Sequence, residues 1–174
     1  IKGECEYMQR LQQRQWKIWL AILLGFLLMA NHVFADQPEA MKTVSEWGIT
    51  WGSPDETITD IISSPDVERW MTVKSGGRMP VKPIDVTTAW VRIKLPSVVP
   101  MDYGMYIDDM YTQEVSVYIG DRLSRDVKFD FPYDEQRGLF PLSTIDGGKF
   151  VYMKLQTSMD RLGIHSDIRI DHYS

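Results

Sequence analysis

The chain has 174 residues, with 24 Asp and Glu against 19 Lys and Arg and a formal net charge of −5. That acidic balance, without a basic cluster, argues against phosphate-backbone binding and so against a nucleic-acid partner. The single cysteine, Cys5, lies upstream of every apolar stretch, which argues against a disulfide framework and against lipoprotein processing.

The chain order begins with a predicted export segment over residues 1–35. Arg10, Arg14 and Lys17 form a positive region, and Ile18 to Ala30 follows without a charge. That run is shorter than the ~20 apolar residues needed to span a bilayer core. Val33 and Ala35 then suit the small positions of a signal-peptidase site, so cleavage after Ala35 is expected. The alternative is a retained membrane anchor, with Asn31 to Ala35 in the interface. Glu4 and Glu6 are acidic where such a signal should be basic, so Met8 is the expected start. Cys5 then drops out of the mature protein, and an exported domain without cysteine suits a bacterial envelope.

Residues 36–45 read as a polar linker containing Pro38, and the domain proper is expected over 46–174. Glu46 to Trp51 is a predicted strand. Asp55 to Ile62 and Pro65 to Trp70 have a weak helical pattern, and Lys74 to Pro83, rich in Gly and Pro, reads as a loop. From Val86 a period of two takes over. Ala89, Val91, Ile93 and Leu95 alternate with Trp90, Arg92 and Lys94, so the aliphatic set enters a core while Arg92 and Lys94 face out. Further sets are Tyr103, Met105 and Ile107, then Val115, Val117 and Ile119 up to Gly120-Asp121. Gly138 to Leu142 is a shorter strand. Val151, Met153 and Leu155 follow the Asp146-Gly147-Gly148 turn, and Ile164, Ile168 and Ile170 close the series against outward His165, Asp167, Arg169 and Asp171. Short strands joined by turn-rich segments predict an all-β antiparallel sandwich or jelly roll.

Motifs for chemistry are sparse. No Gly-rich phosphate loop or Gly-x-Ser-x-Gly elbow occurs. His165 and His172 read as exposed strand residues, short of the three or four converging ligands a zinc site needs. Asp108-Asp109 and Asp134-Glu135 are adjacent pairs that would point apart on a strand, so neither makes a glycosidase dyad. No catalytic residue, metal or cofactor is therefore expected. The aromatics are the positive feature: Trp47, Trp51, Trp70 and Trp90 follow the export segment, with seven tyrosines that include Tyr118. Such rings beside Arg can stack on a sugar or another small polar ligand, or else fill the core. Trp90 stands out because it shares a face with Arg92. Trp90, Arg92, Trp70 and Tyr118 are the candidate ligand-binding residues.

The order of these features resembles the type-two extracellular sensor domain of bacterial seven-transmembrane receptors with diverse intracellular signalling modules. The resemblance runs through Ala-Trp-Val-Arg-Ile-Lys-Leu-Pro at 89–96, Tyr106-Ile107-Asp108 and Val115-Ser116-Val117-Tyr118. It continues through Phe131-Pro132, Phe140-Pro141-Leu142 and the stretch from Val151 to Ser158, spanning roughly Trp47 to Ile170. It implies a jelly roll similar to carbohydrate-binding modules, placed ahead of membrane helices and an output such as a diguanylate cyclase or histidine kinase. The chain stops at Ser174, so it is expected to be a fragment of such a receptor or a copy without output. The expected function is a non-catalytic sensor on the extracytoplasmic face of the bacterial membrane. It would bind a small molecule such as a saccharide, with the receptor's membrane helices as its other partner. The alternative is the sugar-binding jelly roll of a secreted glycoside hydrolase.

Overall fold

Alternating residues place successive side chains on opposite faces of a strand, and the computed structural model of the protein is built mainly from such segments. The structure describes residues 42–64, 67–130 and 136–173. The expected export segment 1–35, the expected linker as far as residue 41, Pro65-Asp66, Phe131-Pro132 and Asp134-Glu135 lie outside the described residues.

The strands are β1 (Lys42–Thr43), β2 (Glu46–Gly52), β3 (Met71–Lys74), β4 (Thr88–Lys94), β5 (Tyr103–Tyr111) and β6 (Glu114–Ile119). They continue with β7 (Arg122–Lys128), β8 (Gln136–Pro141), β9 (Phe150–Gln156), β10 (Gly163–Ile164) and β11 (Ile168–His172). One helix, α1 (Ile58–Ser63), and a 3-10 turn (Val67–Arg69) lie between β2 and β3. Thr57 starts α1 with a reciprocal cap: its N–H donates to Asp60 Oδ2 at 2.8 Å, and its Oγ1 accepts from the Asp60 N–H at 3.3 Å. Ile61 is buried beneath it.

All pairings among the described residues are antiparallel, in two sheets. The larger runs β3-β2-β4-β9-β6-β7. In the smaller, β5 carries β8 on one edge, while β11 and β10 pair in turn along the other, with β1 outside β11. The inward rows of the larger sheet follow from register: Ile49, Val91, Met153 and Val117 stand in line, and Ala89, Leu155 and Val115 make the next row. They share one core cluster with Met105, Ile107, Ile168 and Ile170 of the smaller sheet. Burial of each Val, Leu, Ile or Met here contributes about 1.5–3 kcal/mol, so this face fixes which way the core strands turn. The described residues belong to one compact unit, Ala40–Ser174, and none of their helices is long and apolar enough to cross a membrane.

Three strands go beyond the sequence reading. Lys42–Thr43, expected in the linker, pairs with β11, and the Val44 N–H donates to the Ile168 carbonyl at 2.8 Å. Val44 packs on the core, so ordered pairing begins ahead of Glu46. Met71–Lys74 is a strand in register with β2. The third is β7, a strand with almost no apolar signal. It is an edge ribbon whose side chains are nearly all exposed, and it turns from β6 at Gly120, where φ is +63°.

In β5 the inward set Tyr103, Met105 and Ile107 shifts at a bulge before Met110, which is again buried. The bulge turns the Asp108 and Asp109 N–H groups onto Ser166 Oγ, at 3.1 and 3.0 Å. Asp108 pairs with Arg169 at 2.6 Å, while Asp109 Oδ1 is buried without a hydrogen-bond partner among the described residues.

Candidate functional site

With the aliphatic parity turned inward, the opposite parity of β2, β4, β9 and β6 forms the outer face of the larger sheet. Register sets Arg92 beside Tyr152 and Tyr152 beside Tyr118, while Trp90 pairs with Lys154 and Lys94 with Phe150. The four residues singled out from sequence thus meet on one face, as two pairs. Trp90 and Tyr118 have ring centroids 5.9 Å apart, and the Arg92 guanidinium lies 4.5 Å from the centre of the Trp70 ring. Trp70 comes from the segment after the 3-10 turn and lies against β2 at Gly48. A Cβ on residue 48 would stand 3.1 Å from Trp70 Cε3, so glycine permits this close approach.

The two pairs differ in access. Trp90 is 0% exposed, although it is on the outer face. The segment after β2 folds back over it. Lys154 Nζ donates to the carbonyls of Pro54 and Glu56, at 2.6 and 2.8 Å, and lies 5.6 Å from the Trp90 ring centre. Arg69 grips the same strap through Glu56 Oε1 at 2.7 Å. Trp90 therefore supports the face from beneath and has no surface for direct ligand contact, a correction to its place among the candidate contacts. Glu56 Oε2, Thr88 Oγ1 and Trp90 Nε1 are buried there without hydrogen-bond partners among the described residues.

Trp70, Arg92 and Tyr118 remain partly exposed. Around Arg92 the rings of Trp70, Phe150 and Tyr152 form a run, with centroids 6.3 Å apart for Trp70–Tyr152 and 6.1 Å for Phe150–Tyr152. Burial pushes the Tyr152 phenol above the ordinary tyrosine value, and the positive charge of Arg92 opposes that shift. An open cleft of about 210 Å³ lies here, lined by Trp70, Arg92, Lys94, Phe150, Glu46 and Thr72 among others. A larger hollow of about 350 Å³ adjoins it at Glu46 and Lys94, but its lining carries no aromatic ring.

Phe150, Tyr152 and Lys154 were not singled out from sequence. Their signal was the parity opposite Val151, Met153 and Leu155, which becomes informative only once β9 is known to lie beside β4. His165 and His172 are exposed and meet Tyr111 and Tyr103 edge-on, at 5.1 and 5.9 Å between centroids. Among the described residues no group of three or more His, Cys, Asp or Glu is arranged to hold a metal ion. The arrangement offers stacking surfaces and fixed cations, the equipment of a binding site. In comparison with known proteins, no family model and no curated protein matches this chain.

Proposed function

We propose that this is a non-catalytic domain that binds a small polar ligand of the saccharide class on the outer face of its larger sheet. It would work as the extracytoplasmic input of a bacterial membrane receptor. The observation that carries the reading is the accessible run of Trp70, Arg92, Phe150 and Tyr152 beside an open cleft. Aromatic faces exclude water from the apolar face of a sugar ring, and a nearby guanidinium supplies directional donors.

Strand order supports the finer assignment of the sandwich as a jelly roll. Setting β2 and β3 aside as an insertion at one edge and counting β10–β11 as one interrupted strand leaves four strands in each sheet, β1-β11-β5-β8 and β4-β9-β6-β7. Consecutive strands then alternate between the sheets except at the β6–β7 hairpin, the connectivity of a double Greek key. The sensor role and the export rest on residues 1–35 and on the resemblance described above. Ligand binding would signal by favouring one arrangement of the receptor's membrane helices, which requires unequal affinity for the two arrangements.

The test is a titration of the full chain with neutral and acidic mono- and oligosaccharides, followed by tryptophan fluorescence and calorimetry. Saturable binding of at least one sugar, abolished by Trp70→Ala, is the expected outcome. A folded protein that binds none of them sinks the saccharide reading.

A further inference from the structure

Arg92 is a cation without a counter-charge among the described residues. Arg69, Arg122, Lys128, Lys149 and Arg169 each lie within ion-pair distance of a carboxylate. Arg92 instead lies 4.5 Å from the centre of the Trp70 ring and 5.3 Å from that of Phe150, with no ion pair or hydrogen bond among the described residues. Ring faces attract a guanidinium but satisfy none of its five N–H donors. Two residues along the same face, Lys94 lies 4.4 Å from the Phe150 ring centre and donates to the Gly148 carbonyl. An ammonium group has three donors, so further bonds are open to it. Both cations line the cleft that Trp70 borders, and so do Glu46 and Thr72.

This set of groups discriminates among ligands. A simple anion such as phosphate is drawn to Arg92 and Lys94 but repelled by Glu46. A neutral sugar suits the rings, and its hydroxyls suit Glu46 and Thr72, but it leaves the Arg92 donors without an anionic acceptor. A ring bearing both hydroxyls and a carboxylate meets every group.

We propose that the cleft beside Trp70 is a receptor site for a sugar acid of the uronate type. Arg92 takes the carboxylate through its planar fork, assisted by Lys94, and Glu46 and Thr72 accept or donate to the hydroxyls. Trp70 and Phe150 hold the guanidinium in place and offer their remaining faces to the ring. This assignment rests on the saccharide-binding reading and names its ligand class.

Calorimetric titration of the full chain with sodium galacturonate and glucuronate, against galactose and glucose, tests it. The expected result is uronate binding at least about tenfold tighter than the neutral counterpart and weakened by added salt. Arg92→Gln should abolish that preference. Lys94→Gln, at an exposed position, should reduce it, and it guards against a folding defect in the first variant. Equal affinity for galacturonate and galactose, or a uronate preference that survives both substitutions, overturns the sugar-acid assignment and leaves a saccharide-binding domain standing. Failure of all four sugars to bind overturns the sugar-acid assignment, and the wider titration with oligosaccharides then decides the saccharide reading.

Discussion

The two faces of the six-stranded sheet are made by the same strands and obey different rules. Its inner face is apolar, with Ile49, Val91, Met153 and Leu155 each 0% exposed. The outer face carries Arg92, Tyr118, Phe150, Tyr152 and Lys154 on the alternate positions, and most of it stays within reach of solvent. One part of the outer face breaks that division. Trp90 is as buried as any residue of the inner rows because the Ser53–Glu56 strap, clamped by Lys154 and Arg69, closes over it. Strand parity therefore tells which way a side chain points. What lies above it is a separate matter, and the function proposed here uses the part of the face left uncovered.

The sharpest way to break the comparison is to treat Trp90 as core. Trp90→Ala should cost about 3–5 kcal/mol and Leu155→Ala about 2–5 kcal/mol in urea unfolding, a near match between opposite faces. Trp90→Phe keeps a large ring and removes the unpartnered indole N–H, so it should cost less than about 1.5 kcal/mol. A cost below that level for Trp90→Ala would mean that the strap does not cover the ring in solution.

A smaller effect should follow from Gly52→Ala, which tests the contact between strap and sheet. A Cβ at 52 would stand 2.6 Å from Glu56 Oε2 and 2.8 Å from Trp90 Cδ1. The strap must lift to make room, at about 1–3 kcal/mol, and Trp90 emission should shift to the red as water enters. An unchanged emission spectrum would contradict this.

The smallest effect concerns the strap's own helix. Its capping bonds from Thr57 hold the Asp60 carboxyl below the ordinary aspartate value. Because the folded pKa is the lower one, the contribution is fully present above the unfolded-state pKa and disappears as pH falls through the folded value. Unfolding measured across that acidic range should show a slight loss of stability, and Asp60→Asn should remove this component. An identical acid profile in the variant would exclude the cap as its source.

Much of the fold was legible in the order of residues. Alternating sets at Ala89–Leu95, Tyr103–Ile107, Val115–Ile119 and Val151–Leu155 correspond to β4, β5, β6 and β9, because burial of one face forces a period of two. The strands that escaped are those that bury little. In β7 charged side chains dominate an edge, and in β1 the strand is only Lys42–Thr43, ahead of the core-packed Val44. For the site, the outward direction of Arg92 and the shared face with Trp90 were readable along one strand.

Amino-acid order alone established an acidic chain, an expected export segment and a set of half-buried strands, since charge and alternation are local properties. Partners across strands are not local. That Arg92 comes to lie between Trp70 and Phe150, that Phe150 stands beside Lys94, and that Trp90 sinks beneath a strap all follow from pairing β2, β4 and β9 side by side and folding residues 53–70 back over them. Those contacts join residues tens of positions apart. They depend on long-range register and on the absence of a side chain at Gly48, neither of which any single stretch of the chain reveals.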